Sequence, residues 1–207
     1  MGKSGYNDKT KPVLFAGLPE AYIIPPEWSE VIARLQLHGI MMMELKKETA
    51  LPVSVYRFSK TKWQQTSYEG RHKVTYEVAD TMENQIFPSG SWLVDMNQRT
   101  ARVITHLLEP GSPDSFASWG FFDAILEQKE YSESYVIEPE ARRMLAADPA
   151  LKLEFEKKKA SDPKFASDPE EILNWFYSRS PWWDSHYGVY PIGRIMDRNA
   201  VEKLEKE

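Results

Sequence analysis

The residues of this 207-residue chain that could do chemistry are its four histidines and its many carboxylates, and one pair has the spacing of a metal site. His106 and Glu109 form a His-x-x-Glu motif, and on a helix side chains at i and i+3 share a face. A hydrolytic zinc site also needs a third ligand, an open position for water and a carboxylate base. Here Pro110 follows Glu109 at once, at the expected end of a helix, and no distant histidine comes with a supporting context. We therefore reject the metal site and interpret Glu109 as a polar residue at a helix terminus.

Other catalytic patterns are missing from the sequence as well. Acid pairs such as Glu127 with Glu130 lie among other charges, so nothing in their surroundings predicts the raised pKa of a general acid. The chain has no nucleophile elbow, no Walker loop and no glycine-rich dinucleotide turn. It has no cysteine, which excludes disulfides, thiolate catalysis and cysteine-based metal sites. The sequence therefore predicts no catalytic residue, no metal ligand and no cofactor in this chain.

An aromatic segment near the C-terminal end is the best candidate for a binding site. Trp182, Trp183, Tyr187 and Tyr190 lie in a stretch without helical or strand periodicity, which we call the aromatic loop. Flat apolar rings with polar tips suit the binding of sugar rings or of a peptide. The same side chains could instead fold back and cap a layer of helices, so both interpretations stay open.

Composition and charge narrow the classes of partner. The net charge is -5, and the lysines are spread along the chain, which argues against nucleic-acid binding because phosphates need a basic face. No stretch approaches the roughly 20 apolar residues of a membrane span. The first residues are polar and lack the apolar core of a signal peptide.

The elements that must position these residues follow from local patterns. Residues 1–20 are predicted to be a flexible lead-in or the edge of a fragment, and residues 21–110 a helix plus an antiparallel β layer. Apolar residues from Trp28 to Leu35 recur at helical spacing after a Pro-Pro pair. Alternating residues between 52 and 96, with turns at 69–71 and 88–90, predict several strands. A further helix is predicted to begin near Ala101 and to end before Pro110.

Residues 111–207 are predicted to be mainly helical and to contain the aromatic loop. Three Asp-Pro pairs, beginning at Asp148, Asp162 and Asp168, have the pattern of an N-cap followed by proline in the first helical turn. The aromatic-rich run at 119–131 is predicted to be a helix with Trp119, Phe122, Ile125 and Leu126 on its buried face. The fold class is therefore α+β: a small antiparallel sheet or sandwich layer, followed by a mainly helical part. Residues 21–195 are expected to form one compact unit.

Several segments of the chain resemble one known family in their order and spacing. They lie at residues 21–26, 34–40, 88–94, 107–110, 119–135, 180–183 and 190–194. The family is that of the large bacterial zinc carboxypeptidases, which are carboxypeptidase A-like metallopeptidases. The region matched is the non-catalytic one that follows their catalytic domain. The resemblance covers roughly residues 20 to 195, nearly the whole chain.

The resemblance implies a metallocarboxypeptidase, and hence proteolysis, for the whole parent protein. In the family, zinc is held by a His-x-x-Glu motif and a distant histidine, a separate glutamate activates water, and arginines bind the substrate carboxylate. These residues precede the region that this chain resembles. The His-x-x-Glu of this chain, from His106 to Glu109, falls instead at the family's Leu-Leu-Glu-Pro position. We therefore carry no catalytic residue over to this chain.

The function expected from the resemblance is that of an accessory region. Its partner would be the catalytic peptidase domain, in cis if the chain is a fragment, and zinc would belong to that domain. The parent would be periplasmic or secreted. Whether this chain is an enzyme stays open, although alone we expect it to be non-catalytic. The alternatives are a carbohydrate- or peptide-binding module that uses the aromatic loop, and an autonomous hydrolase that uses His106 and Glu109, for which we expect no activity.

Overall fold

A computed structural model of the chain describes residues 16–128 and 132–206 and shows an α+β fold, as the sequence predicts. Most of the predicted lead-in, and residues 129–131 of the aromatic-rich run, lie outside the described residues. The structure divides into two compact units. The first unit comprises the described residues up to Leu126 together with those from Gly188 onward, and the second unit is Glu127–Tyr187.

The first unit contains one six-stranded sheet in which all neighbouring strands are antiparallel. Its strands are β1 (Ala21–Ile24), β2 (Met43–Glu44), β3 (Thr49–Trp63), β4 (Val74–Phe87), β5 (Trp92–Asp95) and β6 (Gly193–Ile195). Their order across the sheet is β2-β5-β1-β6-β3-β4. The last strand of the chain therefore lies in the middle of the sheet, between β1 and β3. The sequence predicted β structure between 52 and 96 but neither β1 nor β6, because segments of three or four residues are too short to show a periodicity.

The described helices are distributed over both units. They are α1 (Ser29–Leu37), α2 (Ala101–Leu108), α3 (Ser134–Ala147), α4 (Pro149–Ser161), α5 (Pro163–Ser167), α6 (Pro169–Tyr177) and α7 (Arg198–Leu204). Helix α1 buries Val31, Ile32 and Leu35, as its stripe predicts, although it begins after the Pro-Pro turn. Gly39 follows it with φ +69°, the left-handed conformation that commonly closes a helix.

The centre of the sheet is buried on both faces, which explains why β1 is apolar at every position. Successive side chains of a strand point to opposite faces. Tyr22 and Ile24 belong to the core cluster that contains the buried stripes of α1 and α2. Ala21 and Ile23 belong to a second cluster, which includes residues of α7. Strand β1 therefore lies between two apolar layers and holds the sheet's centre in place.

The aromatic-rich run does not form the predicted helix. It consists of turns and a single 3₁₀ turn, Asp123–Leu126, because Gly120 adopts φ +75° and interrupts a regular helix. Phe122 and Leu126 are nevertheless buried in the core, as predicted. Their neighbours Trp119 and Ile125 are only partly buried. Two of the four residues predicted to be buried are therefore in the core, and the predicted helix is wrong.

The second unit is built from α3 to α6 around an apolar core that includes Phe155, Phe165 and Trp175. All three Asp-Pro predictions are confirmed. Asp148 accepts hydrogen bonds from the backbone N–H groups of Ala150 and Leu151, at 2.8 and 3.1 Å. Asp168 caps α6 with two such hydrogen bonds, and Asp162 caps α5 with one, from the backbone N–H of Phe165. Each aspartate satisfies amide groups that the first turn of a helix leaves unpaired.

Candidate functional site

A buried carboxylate at the end of α2 is the centre of the most polar cluster in the core of the first unit. Ile104 and Leu108 bury one face of α2, and the next residue, Glu109, is extended and turns inward. Glu109 is only 4% exposed. Its Oε1 accepts a hydrogen bond from the Tyr22 hydroxyl at 2.6 Å, and its Oε2 accepts one from the Tyr56 hydroxyl at 2.8 Å. Both carboxylate oxygens are therefore occupied by phenol groups of the sheet.

Arg194 supplies the opposite charge from the middle of the sheet. It lies in β6, is 3% exposed, and its Nε is 3.3 Å from Oε1 of Glu109, though not aligned for a hydrogen bond. Its Nη1 donates to the Ser54 hydroxyl at 3.2 Å, and its Nη2 donates to the Gly17 carbonyl. The guanidinium carbon also lies 4.4 Å from the ring centre of Tyr56. A buried charge is costly unless it is paired, and here the acid and the base neutralise each other.

The phenols around this pair are held in their protonated form. Burial, followed by the nearby Glu109, raises the pKa of Tyr22 and of Tyr56 well above the usual value of 10. Burial also raises the pKa of Tyr76 to about 12 and that of Tyr190 well above 10. Tyr76 donates to the Pro110 carbonyl at 2.9 Å, and Tyr190 to the Leu108 carbonyl at 2.8 Å. These hydroxyl groups therefore act as hydrogen-bond donors that fix the end of α2.

A pocket of about 1010 Å³ lies beside the buried pair. Glu109, Arg194 and Tyr56 belong to its lining, together with both apolar and further polar side chains. The apolar lining includes Leu18, Val78, Met82, Pro113 and Met196, and the polar lining includes Ser54, Asp80, Thr105, His106 and Ser112. The pocket combines a neutralised charge pair with apolar walls, which is the composition of a surface that receives another chain or an apolar ligand.

The structure places His106 and Glu109 in different environments. His106 is exposed, and its Nδ1 lies 3.3 Å from the Ser112 hydroxyl. Glu109 is buried and could bind a metal only by giving up its contacts with Tyr22 and Tyr56. In the part of the chain that the structure describes, no three side chains of histidine, aspartate or glutamate are placed to hold a metal ion together.

Three of the four aromatic side chains named for the aromatic loop line one pocket, and the fourth, Tyr190, does not. Trp182, Trp183 and Tyr187 line a pocket of about 310 Å³ in the second unit, together with Glu127, Gln128, Tyr177 and Asp184. Trp182 is 49% exposed. Trp183 makes edge contacts with Tyr177 and Tyr187, at ring-centre distances of 5.4 and 5.3 Å. This pocket has an open indole face and carboxylates close to it.

Tyr190 has a different position from the other members of the aromatic loop. It belongs to the first unit and is buried in its core, where its ring packs against Phe122 and Phe58. Its hydroxyl donates a hydrogen bond to the Leu108 carbonyl. Neither its ring nor its hydroxyl is open to a ligand, so the structure corrects its inclusion among the candidate binding residues.

Sequence reasoning missed Tyr22, Tyr56 and Arg194, although one signal for the cluster was present. Arg194 stands between Gly193 and Ile195 in a short apolar run, and arginine is rarely buried without a partner. Glu109 likewise follows two leucines. The two isolated charges of opposite sign indicated a buried pair, but the sequence did not show that they meet.

Comparisons with known proteins relate about half of the chain to carboxypeptidases. The chain is 35% identical over 108 residues to "Carboxypeptidase 2" of Trichophyton tonsurans, and 34% identical over 110 residues to that of Trichophyton rubrum. It is 30% identical over 102 residues to "Probable carboxypeptidase 2" of Arthroderma benhamiae. These matches cover 52%, 53% and 49% of this chain but only 20%, 20% and 19% of the relatives.

The chain therefore spans about a fifth of the length of the curated relatives it matches and contains a carboxypeptidase-related region. No family model matches the chain. No solved structure matches it either. The relatives named above are fungal, so the bacterial origin suggested by the resemblance stays a prediction.

Proposed function

We propose that this chain is the accessory C-terminal region of a zinc carboxypeptidase-like protein whose catalytic centre lies in another part of that protein. The observation that carries the proposal is the match to about a fifth of carboxypeptidase 2. A region of that size, with a core of its own, fits a domain of a larger protein. Its work would be to complete the fold, to support the peptidase domain or to shape the access of substrate.

The geometry of the first unit supports a structural role for its polar cluster. Glu109 has both oxygens bound to phenols, and Arg194 is held by Ser54 and by the Gly17 carbonyl. Groups that are neutralised and buried in this way order the elements that carry them. They lack the open coordination position or the free base that hydrolysis needs. The donor set therefore does not fit a catalytic zinc ion, and no catalytic step is assigned to this chain.

Two further properties belong to the same proposal. The parent protein would be bacterial, and it would be periplasmic or secreted, as the family resemblance implies. In the described residues, no helix has the length and apolarity needed to cross a bilayer. The partner of this region would be the peptidase domain itself, and zinc would be the cofactor of that domain.

A zinc titration of the purified chain tests the proposal. We expect no stoichiometric, tight binding by calorimetry, and no release of C-terminal amino acids from a peptide substrate in the presence of zinc. The variant His106→Ala should behave like the parent in both assays. Tight one-to-one binding that His106→Ala abolishes would contradict the proposal and would support an autonomous hydrolase.

A second candidate function is favoured by the pocket of the second unit. Trp182 is half exposed at a pocket lined by Asp184 and Glu127, and an indole face beside carboxylates suits a sugar ring or a peptide. Replacing Trp182 by alanine should abolish binding to an oligosaccharide or peptide array while unfolding stays cooperative. Trp183→Ala is the informative partner variant, because loss of cooperative unfolding there would identify that ring as core.

A further inference from the structure

The strand β4 is a long edge of the sheet with one side open. It spans 14 residues, roughly 45 Å of extended chain, and it is the last strand in the sheet order. Its backbone pairs with β3 on one side, and no described strand pairs with the other. Such an edge presents a row of unpaired N–H and C=O groups, which is a template for another strand.

Apolar side chains follow one face of this edge. Val78, Met82 and Ile86 lie an even number of residues apart, so they share a face of the sheet, and they are 42%, 62% and 68% exposed. Val78 and Met82 also line the large pocket, together with Leu18 and Met196. Exposed apolar side chains next to a strand edge that no described strand covers are typical of an interaction site.

The charges of β4 specify which partner this edge can accept. Glu77 forms an ion pair with Lys60 at 2.9 Å, and Glu83 forms one with Arg57 at 2.7 Å. Asp80 lies on the same face as Val78 and Met82 and lines the pocket. No described residue forms a hydrogen bond or an ion pair with its carboxylate. Asp80 is therefore a carboxylate with no ion pair among the described residues, flanked on its strand face by the exposed Val78 and Met82, while Arg194, the cation of the pocket lining, is paired with Glu109.

A second copy of this chain fits the edge poorly. In two β4 strands paired antiparallel, Glu77 and Glu83 of each copy would keep their ion pairs with Lys60 and Arg57, but β4 itself contains no lysine or arginine to pair with either Asp80. In the register centred on Asp80, the two Asp80 side chains would face each other directly. Like charges directly opposite each other destabilise strand pairing. Asp80 therefore opposes pairing of two copies in that register and favours a partner strand that places a basic side chain opposite it.

We propose that β4 and the adjoining pocket bind an extended segment of another protein, which adds as a strand to the open edge. The segment would place apolar side chains against Val78, Met82 and the pocket, and a lysine or arginine against Asp80. Backbone pairing would provide affinity, and the alternating side chains would provide specificity. The proposal does not depend on the carboxypeptidase assignment, because it rests only on the edge, the apolar face and the charge.

Two blocked peptides of nine residues test the proposal against the full chain. Both alternate valine with threonine, and the central residue is lysine in one and glutamate in the other. Fluorescence anisotropy should show saturable binding of the lysine peptide and about tenfold weaker binding of the glutamate peptide. The variant Asp80→Lys should reverse this preference, and Met82→Asp should weaken the binding of both peptides.

Matched controls separate this result from misfolding and from self-association. Glu156→Lys makes the same charge change on α4 in the second unit and should leave both affinities unchanged. Circular dichroism and thermal unfolding of Asp80→Lys and Met82→Asp should match the parent, because both side chains are exposed. The proposal is overturned if neither peptide binds saturably, if both bind equally, or if Asp80→Lys changes nothing. Concentration-dependent dimerisation that Met82→Asp abolishes would overturn it too, since a second copy would then occupy the edge.

Discussion

The buried pair of Glu109 and Arg194 is the feature of single residues that matters most for this fold. It joins the end of α2 to β6, and through Tyr22 and Tyr56 it reaches β1 and β3. Breaking a buried pair by removing one partner leaves an uncompensated charge. The intact pair therefore adds less to the free energy of unfolding than is lost when one partner is removed. The pair also fixes the positions of α2, β1, β3 and β6 relative to one another.

Replacing Glu109 by alanine should lower the free energy of unfolding by about 3–5 kcal/mol, because Arg194 would remain buried without a counter-charge. Urea denaturation followed by fluorescence measures this loss. The control Glu138→Ala removes an exposed ion pair with Arg142 and should cost about 0.5 kcal/mol or less. The double variant Glu109→Leu/Arg194→Met should be more stable than Glu109→Ala. A loss as small as that of the control would contradict the structural role of the pair.

Stability at high pH should depend on the buried phenols. Burial holds the folded pKa values of these phenols above 10, to about 12 for Tyr76, and Glu109 adds to the effect of burial at Tyr22 and Tyr56. The folded state therefore retains protons that the unfolded state loses, so this contribution is complete below pH 10 and is lost as the pH rises above 10. Unfolding free energies measured across pH 9 to 12 should fall in the upper part of that range. In Tyr76→Phe the fall should be smaller, and an identical fall would contradict the role of this phenol.

The sequence predicted the position of Glu109 at a helix end but not its environment. Local patterns determine where α2 ends, since the stripe of α2 stops before Pro110. The burial of Glu109 depends on Tyr22 and Arg194, which are 87 and 85 residues away along the chain. Local sequence patterns do not show which distant residues will be in contact. The cluster was therefore found only in the structure.

Helix caps are the features of single elements that the sequence predicted best. Asp148 caps α4 by accepting hydrogen bonds from two backbone N–H groups, so Asp148→Ala should destabilise the second unit by about 1 kcal/mol. Native-state hydrogen exchange of α4 amides measures that change locally. Glu156→Ala, an exposed change in the same helix, is the control and should have little effect. Equal protection in the Asp148→Ala variant and in the parent would show that the cap is dispensable.

The central strand β6 is packed so tightly that it requires glycine. A Cβ atom at Gly193 would lie 2.7 Å from Cζ of Phe87, 2.9 Å from Cγ2 of Ile23 and 3.1 Å from Cγ1 of Val53. Gly193→Ala should therefore destabilise the chain by about 1–3 kcal/mol through overpacking. Thermal unfolding tests this against Gly17→Ala, where no atom lies within 4 Å of the added carbon. An unchanged midpoint for Gly193→Ala would mean that the sheet centre is looser than described.

The sequence predicted the elements that have a periodic apolar stripe or a capping motif. It did not predict the elements that depend on tertiary packing. Helices α1 and α2 have apolar stripes, and the Asp-Pro pairs mark the starts of α4, α5 and α6. Strands β1 and β6 are too short to show a period, and their pairing depends on residues at opposite ends of the chain. Gly120 converts a run with helical spacing into turns. The α+β class could thus be predicted, whereas the strand order could not.

At the scale of the whole molecule, the proposal of an accessory region rests on the extent of the match to known proteins and on the surfaces of the chain. It matches about a fifth of carboxypeptidase 2, and its described residues form two compact units. Among the described residues, the edge of β4 pairs with no further strand, and a pocket of about 1010 Å³ adjoins it, which is the surface proposed above to bind a partner. These properties are consistent with an accessory region, which is the central proposal for its function.

The most direct test of that proposal compares the native protein with the isolated chain. Antibodies raised against the chain would capture the native protein from its source, and carboxypeptidase activity would be measured with and without a zinc chelator. We expect chelator-sensitive activity in the captured native material and none in the purified chain of 24.0 kDa. Activity of the purified chain by itself, or captured native material without carboxypeptidase activity, would contradict the account.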